Sequence, residues 1–249
     1  MKKTALLLTL LVAAAHAHDH IEVGADPGSG SRLGLEGPDY QLAVYVPRGE
    51  AFSGYIPQFP GGYHAVELTF TTEVNVLASA DGAEPRIEIV SVAGPAGASL
   101  SFWEVGATSP TWSIQSGWTG NSLSFPVVYL GETHAHGRCF TMDKPGTYTL
   151  MLRAVDVAGR YSSSASKTIT FNAQQPPQLS IAMQGGNARL SFTSRSGLVY
   201  DLQVCTNLPS GLWTNVDLYT WLDGTGSALE MTNPVAGRPQ AFYRLVEYY

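Results

Sequence analysis

The residues of this chain best suited to metal chemistry are histidines in two short clusters. His134 and His136 stand one residue apart in the stretch GETHAHGRCF, and His18 and His20 stand one residue apart in HDH near the start. Residues two apart on a β-strand project to the same face, so both imidazoles of a pair can reach one ion. Neutral imidazole is a good ligand for zinc, copper and nickel. The spacing predicts a divalent-metal site, with solvated strand histidines as the alternative.

The first residues, MKKTALLLTLLVAAAHA, predict a cleaved export signal over residues 1–17. A basic start, an apolar run of secretory length and small residues in an A-x-A pattern are typical of such a signal. Cleavage after Ala17 or after Ala15 places a histidine third in the mature chain. A free amine, two amides and that imidazole can bind Cu(II) or Ni(II) in square-planar geometry. Because the signal at residues 1–17 predicts export, we expect the mature chain to be soluble and to lie in the periplasm, at the cell surface or outside the cell.

Four further residues are candidate ligands. His64, in GGYHAVELTF, is the candidate fifth histidine ligand, with a structural strand histidine as the alternative. Asp19, Glu22 and Asp26 can complete a zinc shell through oxygen, or they are ordinary loop acids. Strand alternation also places Arg138 beside the histidine pair, where its charge opposes a cation unless a carboxylate such as Glu132 or Asp143 offsets it.

Composition excludes several kinds of partner. The chain has 14 basic and 20 acidic residues, a net charge of -6 that becomes -8 when Lys2 and Lys3 leave with the signal. So acidic a chain does not favour nucleic acid as a partner. No run after the signal approaches membrane-spanning length. The motifs of serine hydrolases, zinc peptidases and phosphate-binding loops do not occur, so we do not expect an enzyme. One enzymatic alternative stays open, because cleavage after Ala17 would start the mature chain at His18, which with a nearby histidine can form the histidine brace of copper oxygenases.

Short apolar segments between turn residues predict an all-β protein. The clearest element is a hairpin in which residues 147–154 alternate between apolar and polar types, a turn follows at 157–160, and 167–171 return. We expect four parts: the signal at 1–17, a metal-binding β-sandwich at 18–172, a linker at 173–178 and a C-terminal β-domain at 179–249. The last is near the lower size limit for an independent core, which favours packing against its neighbour.

Two stretches resemble known domain types. The pattern Pro-Gly-x-Tyr-x-Leu followed by Asp-x-Ala-Gly resembles the last two strands of immunoglobulin-like and polycystic-kidney-disease-type sandwiches, in which the tyrosine ties the chain back on itself. The sequence GLVYDLQVCTNLPSGLWTNV and the closing AFYRLVEYY resemble a small β-domain common at the C-terminus of large bacterial exported proteins. That resemblance implies an accessory or attachment module.

A third resemblance bears on function. The stretches HDHIEVGAD, SLSFWEVGATSPTWS and HAHGRCFTMDKPGTYTLMLRA resemble a family of bacterial exported proteins controlled by the zinc-uptake repressor. The last stretch is also similar to a surface-anchored repeat domain found with metal-type ABC transporters. The resemblance implies zinc acquisition or storage outside the cytoplasm, with a metal-uptake system or a cell-surface component as partner. Its histidine motifs match His18, His20, His134 and His136. We expect His134 and His136 to form one edge of a single site and His18 and His20 to reach it from the N-terminal arm. The cyanobacterial-type relatives end in a sorting tail, whereas this sequence ends in the Phe-Tyr-Arg strand of the C-terminal β-domain, so the resemblance leaves the final location open.

Two other functions compete with metal binding. One is a structural or adhesive surface protein whose histidines are incidental. The other is a carbohydrate-binding module that uses Trp103, Trp112 and Trp118, although alternation favours core packing for the first two. Cys139 and Cys205 fall on opposite sides of the linker, and the sequence leaves open whether they form a disulfide or two buried thiols.

Overall fold

The computed structural model describes residues 20–50, 52, 61–72, 82–128, 131 and 134–248, and the predicted all-β class is confirmed. These ranges contain no α-helix, only two 3₁₀ turns at Leu208–Ser210 and Asp217–Tyr219. Eleven strands form one large sheet. They are β1 (His20–Asp26), β2 (Ser29–Glu36), β3 (Tyr40–Val46), β4 (Tyr63–Thr71), β5 (Pro85–Ala93), β6 (Ser99–Trp103), β7 (Trp112–Gln115), β8 (Ser124–Pro126), β9 (His134–Met142), β10 (Gly146–Asp156) and β11 (Lys167–Ala173).

The large sheet curls over because β3 changes partners along its length. Residues 40–43 run parallel to β11, whereas residues 44–46 run antiparallel to β4. One half of the sheet therefore has the order β7-β6-β9-β4-β3, with β1 paired to β4 and β2 paired to β1, and the other half continues as β11-β10-β5-β8. Buried side chains from both halves form one core, among them Phe70, Phe140 and Leu150. The result is a sandwich-like layer pair around a single apolar interior.

The hairpin predicted from the alternating pattern is present as β10 and β11. Tyr148 lies opposite Phe171 and Leu150 opposite Ile169, and all four side chains are fully buried. The Tyr148 hydroxyl donates a hydrogen bond of 2.8 Å to the Lys144 carbonyl, which confirms the predicted tie. Burial raises the pKa of Tyr148 to about 12, so the phenol keeps the proton that this bond requires.

The Asp-x-Ala-Gly motif after β10 forms a carboxylate-centred turn. The Asp156 carboxylate accepts hydrogen bonds from the backbone N–H groups of Glu84, Ala158, Arg160 and Tyr161. Burial alone would raise the pKa of Asp156, but these four donors hold it below its ordinary value. The carboxylate therefore stays charged and joins this turn to the segment before β5.

Seven further strands form two small sheets that face each other. Their inner faces bury an apolar cluster that includes Leu190, Phe192, Tyr200 and Met231. One sheet has the order β12-β13-β17, and in the other β14 pairs with β15, β16 and β18. The strands are β12 (Ser180–Gln184), β13 (Asn187–Thr193), β14 (Val199–Cys205), β15 (Thr214–Asn215), β16 (Leu222–Asp223), β17 (Ala228–Pro234) and β18 (Phe242–Tyr248).

The small sheets pack against β3 of the large sheet. Val44 is buried in the same apolar cluster as Leu190 and Phe192. Arg244 of β18 donates a hydrogen bond of 2.8 Å to the Arg48 carbonyl and forms an ion pair with Glu50. The C-terminal region thus packs against its neighbour, as its small size leads one to expect.

Both cysteines are buried free thiols, so they form no disulfide with each other. Burial raises the pKa of the Cys139 thiol well above its ordinary value, which makes it unreactive. Across the described ranges, no helix has the length and apolar character needed to cross a membrane.

Candidate metal centre

Three histidines meet where β4 lies between β1 and β9. His20 pairs with Thr69 in the parallel contact of β1 with β4, and His134 pairs with Thr71 in the antiparallel contact of β9 with β4. Phe70, between the two threonines, points into the core, so Thr69 and Thr71 point to the outer face. Because threonine side chains are short, histidine side chains from β1 and β9, the strands on either side of β4, can meet above them.

The three imidazole rings are in contact. The ring centroids of His20 and His134 are 4.6 Å apart in an edge-to-face arrangement, and those of His134 and His136 are 4.4 Å apart. Two imidazole nitrogens bound to one tetrahedral zinc ion lie about 3.3 Å apart, given zinc–nitrogen bonds of about 2.0–2.1 Å. The rings are therefore close enough to share an ion. All three side chains are partly exposed, which gives an ion access from solvent.

A β-bulge at Gly137 reverses the alternation that the sequence predicted for this strand. The register slips between Leu68 and Phe70 of β4, where Gly137 has a φ of 76°. Such a left-handed backbone suits glycine, and the extra residue turns the following side chains to the opposite face. The prediction that Arg138 lies beside the histidines is wrong, because the bulge directs it into the core.

Arg138 is fully buried and bound on the core side of the sheet. Its Nε donates to Glu104 at 2.8 Å and its Nη2 to the same carboxylate at 3.3 Å. The guanidinium also stacks over Phe125 and Phe70, at 5.0 and 5.7 Å from the ring centroids. Its offsetting carboxylate is thus Glu104, whereas Asp143 caps β6 by accepting from the Ser99 N–H. The histidine face carries no opposing arginine from this strand.

Carboxylates flank the histidines on the outer face. Glu67 precedes Thr69 by two residues on β4, and its Oε1 accepts from the Gly137 N–H at 3.0 Å. Glu22 pairs with Thr71 on one side and with Glu36 on the other. Two acidic side chains directly opposite repel each other, and a nearby cation relieves that repulsion. The charge around the histidines therefore favours a positive ion.

Asp26, the other described acid suggested as an oxygen ligand, is placed elsewhere. It lies at the far end of β1, where its carboxylate binds Arg32 and accepts from the Gly28 N–H. The hydrogen bond from Arg32 and that from Gly28 lower the pKa of Asp26. This carboxylate stabilises the β1–β2 turn.

Thr69 orients the His136 ring. Its hydroxyl oxygen lies 3.2 Å from His136 Nδ1. When Nδ1–H donates to that oxygen, the Nε2 lone pair is available for a ligand bond. Metal-binding histidines commonly have such a partner on the second nitrogen. Nothing in the sequence marks Thr69 for this role, because it depends on strand pairing.

The three imidazole rings are in contact, but they are not arranged as a preformed metal-binding site. Within the part of the chain that the structure describes, no group of three or more His, Cys, Asp and Glu side chains is arranged to hold a metal ion. His20 and His134 meet edge to face, with their ring planes 82° apart. His18, Asp19 and Glu132 lie outside the described residues.

His64 lies at the opposite end of β4 from the other histidines. It pairs with Met142, whereas His134 pairs with Thr71, seven residues further along β4, or about 23 Å at strand rise. His64 is 2 % exposed, and its Nε2 is 2.7 Å from the Gln174 carbonyl, to which it donates. Burial lowers the pKa of His64, and the carbonyls of Gln174 and Met142 oppose that shift less strongly. The structure therefore does not bring His64 to the histidine group.

Acid should destabilise the protein partly through His64. Its pKa is lowered in the folded state. Below about pH 6.5 the unfolded chain therefore binds a proton at His64 more readily than the folded chain does. This group then reduces the free energy of unfolding by at most about 1.4 kcal/mol per pH unit as the pH falls. Urea denaturation at pH 7.5 and 5.0 should show a smaller loss for His64→Gln than for the wild type. Equal losses would exclude His64 as the cause.

The tryptophans proposed for carbohydrate binding do not form a flat exposed surface. Trp103 is buried, and its Nε1–H donates to Thr141 Oγ1 at 2.9 Å. Trp112 is half-buried and stacks on Phe102 with ring centroids 4.9 Å apart. Trp118 also packs against the core. These residues stabilise the interior, as alternation indicated for the first two.

Comparisons of the chain with protein families and with curated proteins do not identify it. No protein-family model matches the chain, and no curated protein matches it significantly. The function is therefore inferred from the side chains themselves.

Proposed function

We propose that this protein binds a divalent metal ion outside the cytoplasm and holds it for acquisition or storage. Zinc is the metal that we propose. The ligands are His20 of β1 and His134 and His136 of β9. The contact of the three imidazole rings carries this proposal. His18, two residues before His20, is the further ligand proposed from the sequence. Export rests on the predicted signal at residues 1–17.

Three features of the surroundings support binding rather than incidental clustering. The hydroxyl beside His136 Nδ1 can hold the tautomer that frees Nε2. The bulge at Gly137 removes the arginine charge from this face. Glu22, Glu36 and Glu67 supply negative charge nearby, and zinc accepts both nitrogen and oxygen ligands. Imidazole also suits copper and nickel, which remain the alternatives at an N-terminal chelate.

Metal content of the exported, untagged protein tests the proposal. We expect near one zinc per chain by elemental analysis, and loss of that zinc in the His134→Ala/His136→Ala variant. His64→Gln is the matched control, because it alters a buried histidine on the same strand system and should keep the metal. Zinc affinity should also fall at acidic pH, since a proton competes for each imidazole.

The other outcomes assign the protein differently. Copper or nickel retained by the double variant would place the site at the mature N-terminus alone. Absence of metal from both proteins, with no zinc bound in a direct titration, would contradict the proposal. The structural or adhesive surface role would then be favoured. A metal-uptake system or a cell-surface component is proposed as a partner only if zinc is bound by the wild type and lost in the His134→Ala/His136→Ala variant.

A further inference from the structure

Trp221 occupies an unusual position on the outer face of the four-stranded sheet. The Trp221 residue is 68 % exposed, although tryptophan is a large apolar residue that is usually buried. Its φ is 54°, the only positive value at a non-glycine residue in the described ranges. A left-handed backbone is unfavourable for a bulky side chain, and such strain is concentrated at functional positions. The fold therefore maintains an exposed indole at a conformational cost.

A buried carboxylate holds this conformation. Asp201, 4 % exposed, accepts from the Trp221 N–H at 2.8 Å. Its other oxygen accepts from Asn215 Nδ2 at 3.1 Å and from the Tyr248 hydroxyl at 3.3 Å. Burial, followed by the charge of Asp201, raises the pKa of Tyr248 to about 12, so the phenol remains a donor. One buried acid thus fixes the backbone of Trp221 and the ring of Tyr248 together.

The two rings form a backed aromatic surface. Trp221 and Tyr248 stack with centroids 5.7 Å apart and planes 25° from parallel. Tyr248 covers one face of the indole, so the high exposure of Trp221 belongs to its other face. A rigid aromatic face costs little entropy when it binds a flat ligand.

Polar groups border this surface. Val199 of β14 pairs with Tyr248 on one side and with the exposed Asp223 on the other, which places all three on one face. Asn215, also exposed, adds an amide on that face. An aromatic face suits the apolar C–H side of a sugar ring, and the carboxylate and amide suit its hydroxyl groups. The acidic border disfavours anionic sugars.

We propose that Trp221, backed by Tyr248, binds a neutral hexopyranose unit of a polysaccharide, with Asp223 and Asn215 contacting its hydroxyl groups. This site lies on the C-terminal region and does not depend on the histidine group. It would attach the protein to a glycan-containing surface.

Calorimetric titration and tryptophan fluorescence of the full chain test this site. The probes are soluble hexasaccharides of β-1,4-linked glucose, β-1,4-linked N-acetylglucosamine and α-1,4-linked glucose. We expect at least one to bind and to change the fluorescence. Trp221→Gly should weaken that binding by at least about tenfold, since it removes the ring, while glycine accepts the positive φ and preserves the backbone. Trp221→Phe, which keeps a ring, should retain more binding than the glycine variant.

Leu218→Ala is the matched control, because Leu218 is 81 % exposed and close in sequence but outside the aromatic stack. It should bind as the wild type does. If the wild type binds none of the three probes, the proposal is overturned. So would equal affinity of the wild type and Trp221→Gly, which would place the sugar elsewhere.

Discussion

Saturating zinc should stabilise the wild-type protein but not a His20→Ala/His134→Ala variant. The proposed ligands come from β1 and β9, which do not pair with each other, and β1 pairs with β4 over only three residue pairs. An ion bound by both strands would hold β1 in place. At a free zinc concentration of about 100 times the dissociation constant, the free energy of unfolding should rise by about 2.7 kcal/mol. In a chain of this size that is a rise in Tm of about 5–10 °C.

Thermal denaturation with zinc, with magnesium and with a chelator measures this effect. Magnesium should give no comparable shift, because it prefers oxygen ligands. The His64→Gln protein should respond to zinc as the wild type does. An equal zinc shift in the wild type and the double variant would show that the stabilising ion binds away from these histidines.

Removal of the Glu104 carboxylate should strongly destabilise the large sheet. The Arg138 side chain is 0 % exposed and that of Glu104 is 19 % exposed. Glu104→Leu leaves the buried guanidinium without its counter-ion, and loss of one partner of a buried pair costs about 3–5 kcal/mol. We expect the lower end of that range, because Glu104 is partly solvated. Urea denaturation at neutral pH measures the difference.

The double variant Arg138→Met/Glu104→Leu separates charge burial from loss of packing. Replacing both ions with apolar groups is often neutral, so the double variant should recover much of the loss. The exposed pair of Arg189 with Glu230, whose side chains are 50 % and 70 % exposed, is the control. Glu230→Gln should cost less than about 1 kcal/mol. Similar losses for Glu104→Leu and Glu230→Gln would contradict this account of Arg138.

Local patterns in the sequence determined most of the architecture. Alternation and turn residues predicted the all-β class and the β10–β11 hairpin, because the period of two and the positions of glycine and aspartate act over a few residues. The Tyr148 tie followed from its motif for the same reason. The spacing of His134 and His136 predicted that both rings lie on one face, and the two rings are in contact, although His136 and Gly137 together lie opposite Thr69 in the bulge.

Long-range strand pairing decided the rest of the candidate site. Only the tertiary structure brings His20 beside His134 and separates His64 from both, because β1, β4 and β9 are distant in sequence. The bulge at Gly137 sent Arg138 to the core, against the simple alternation that the sequence supported. A glycine within a strand is a signal for such a bulge, but its effect depends on the register with the neighbouring strand. The sequence by itself thus determined the types of the candidate residues and the strands, and the pairing across β4 decided which histidines meet.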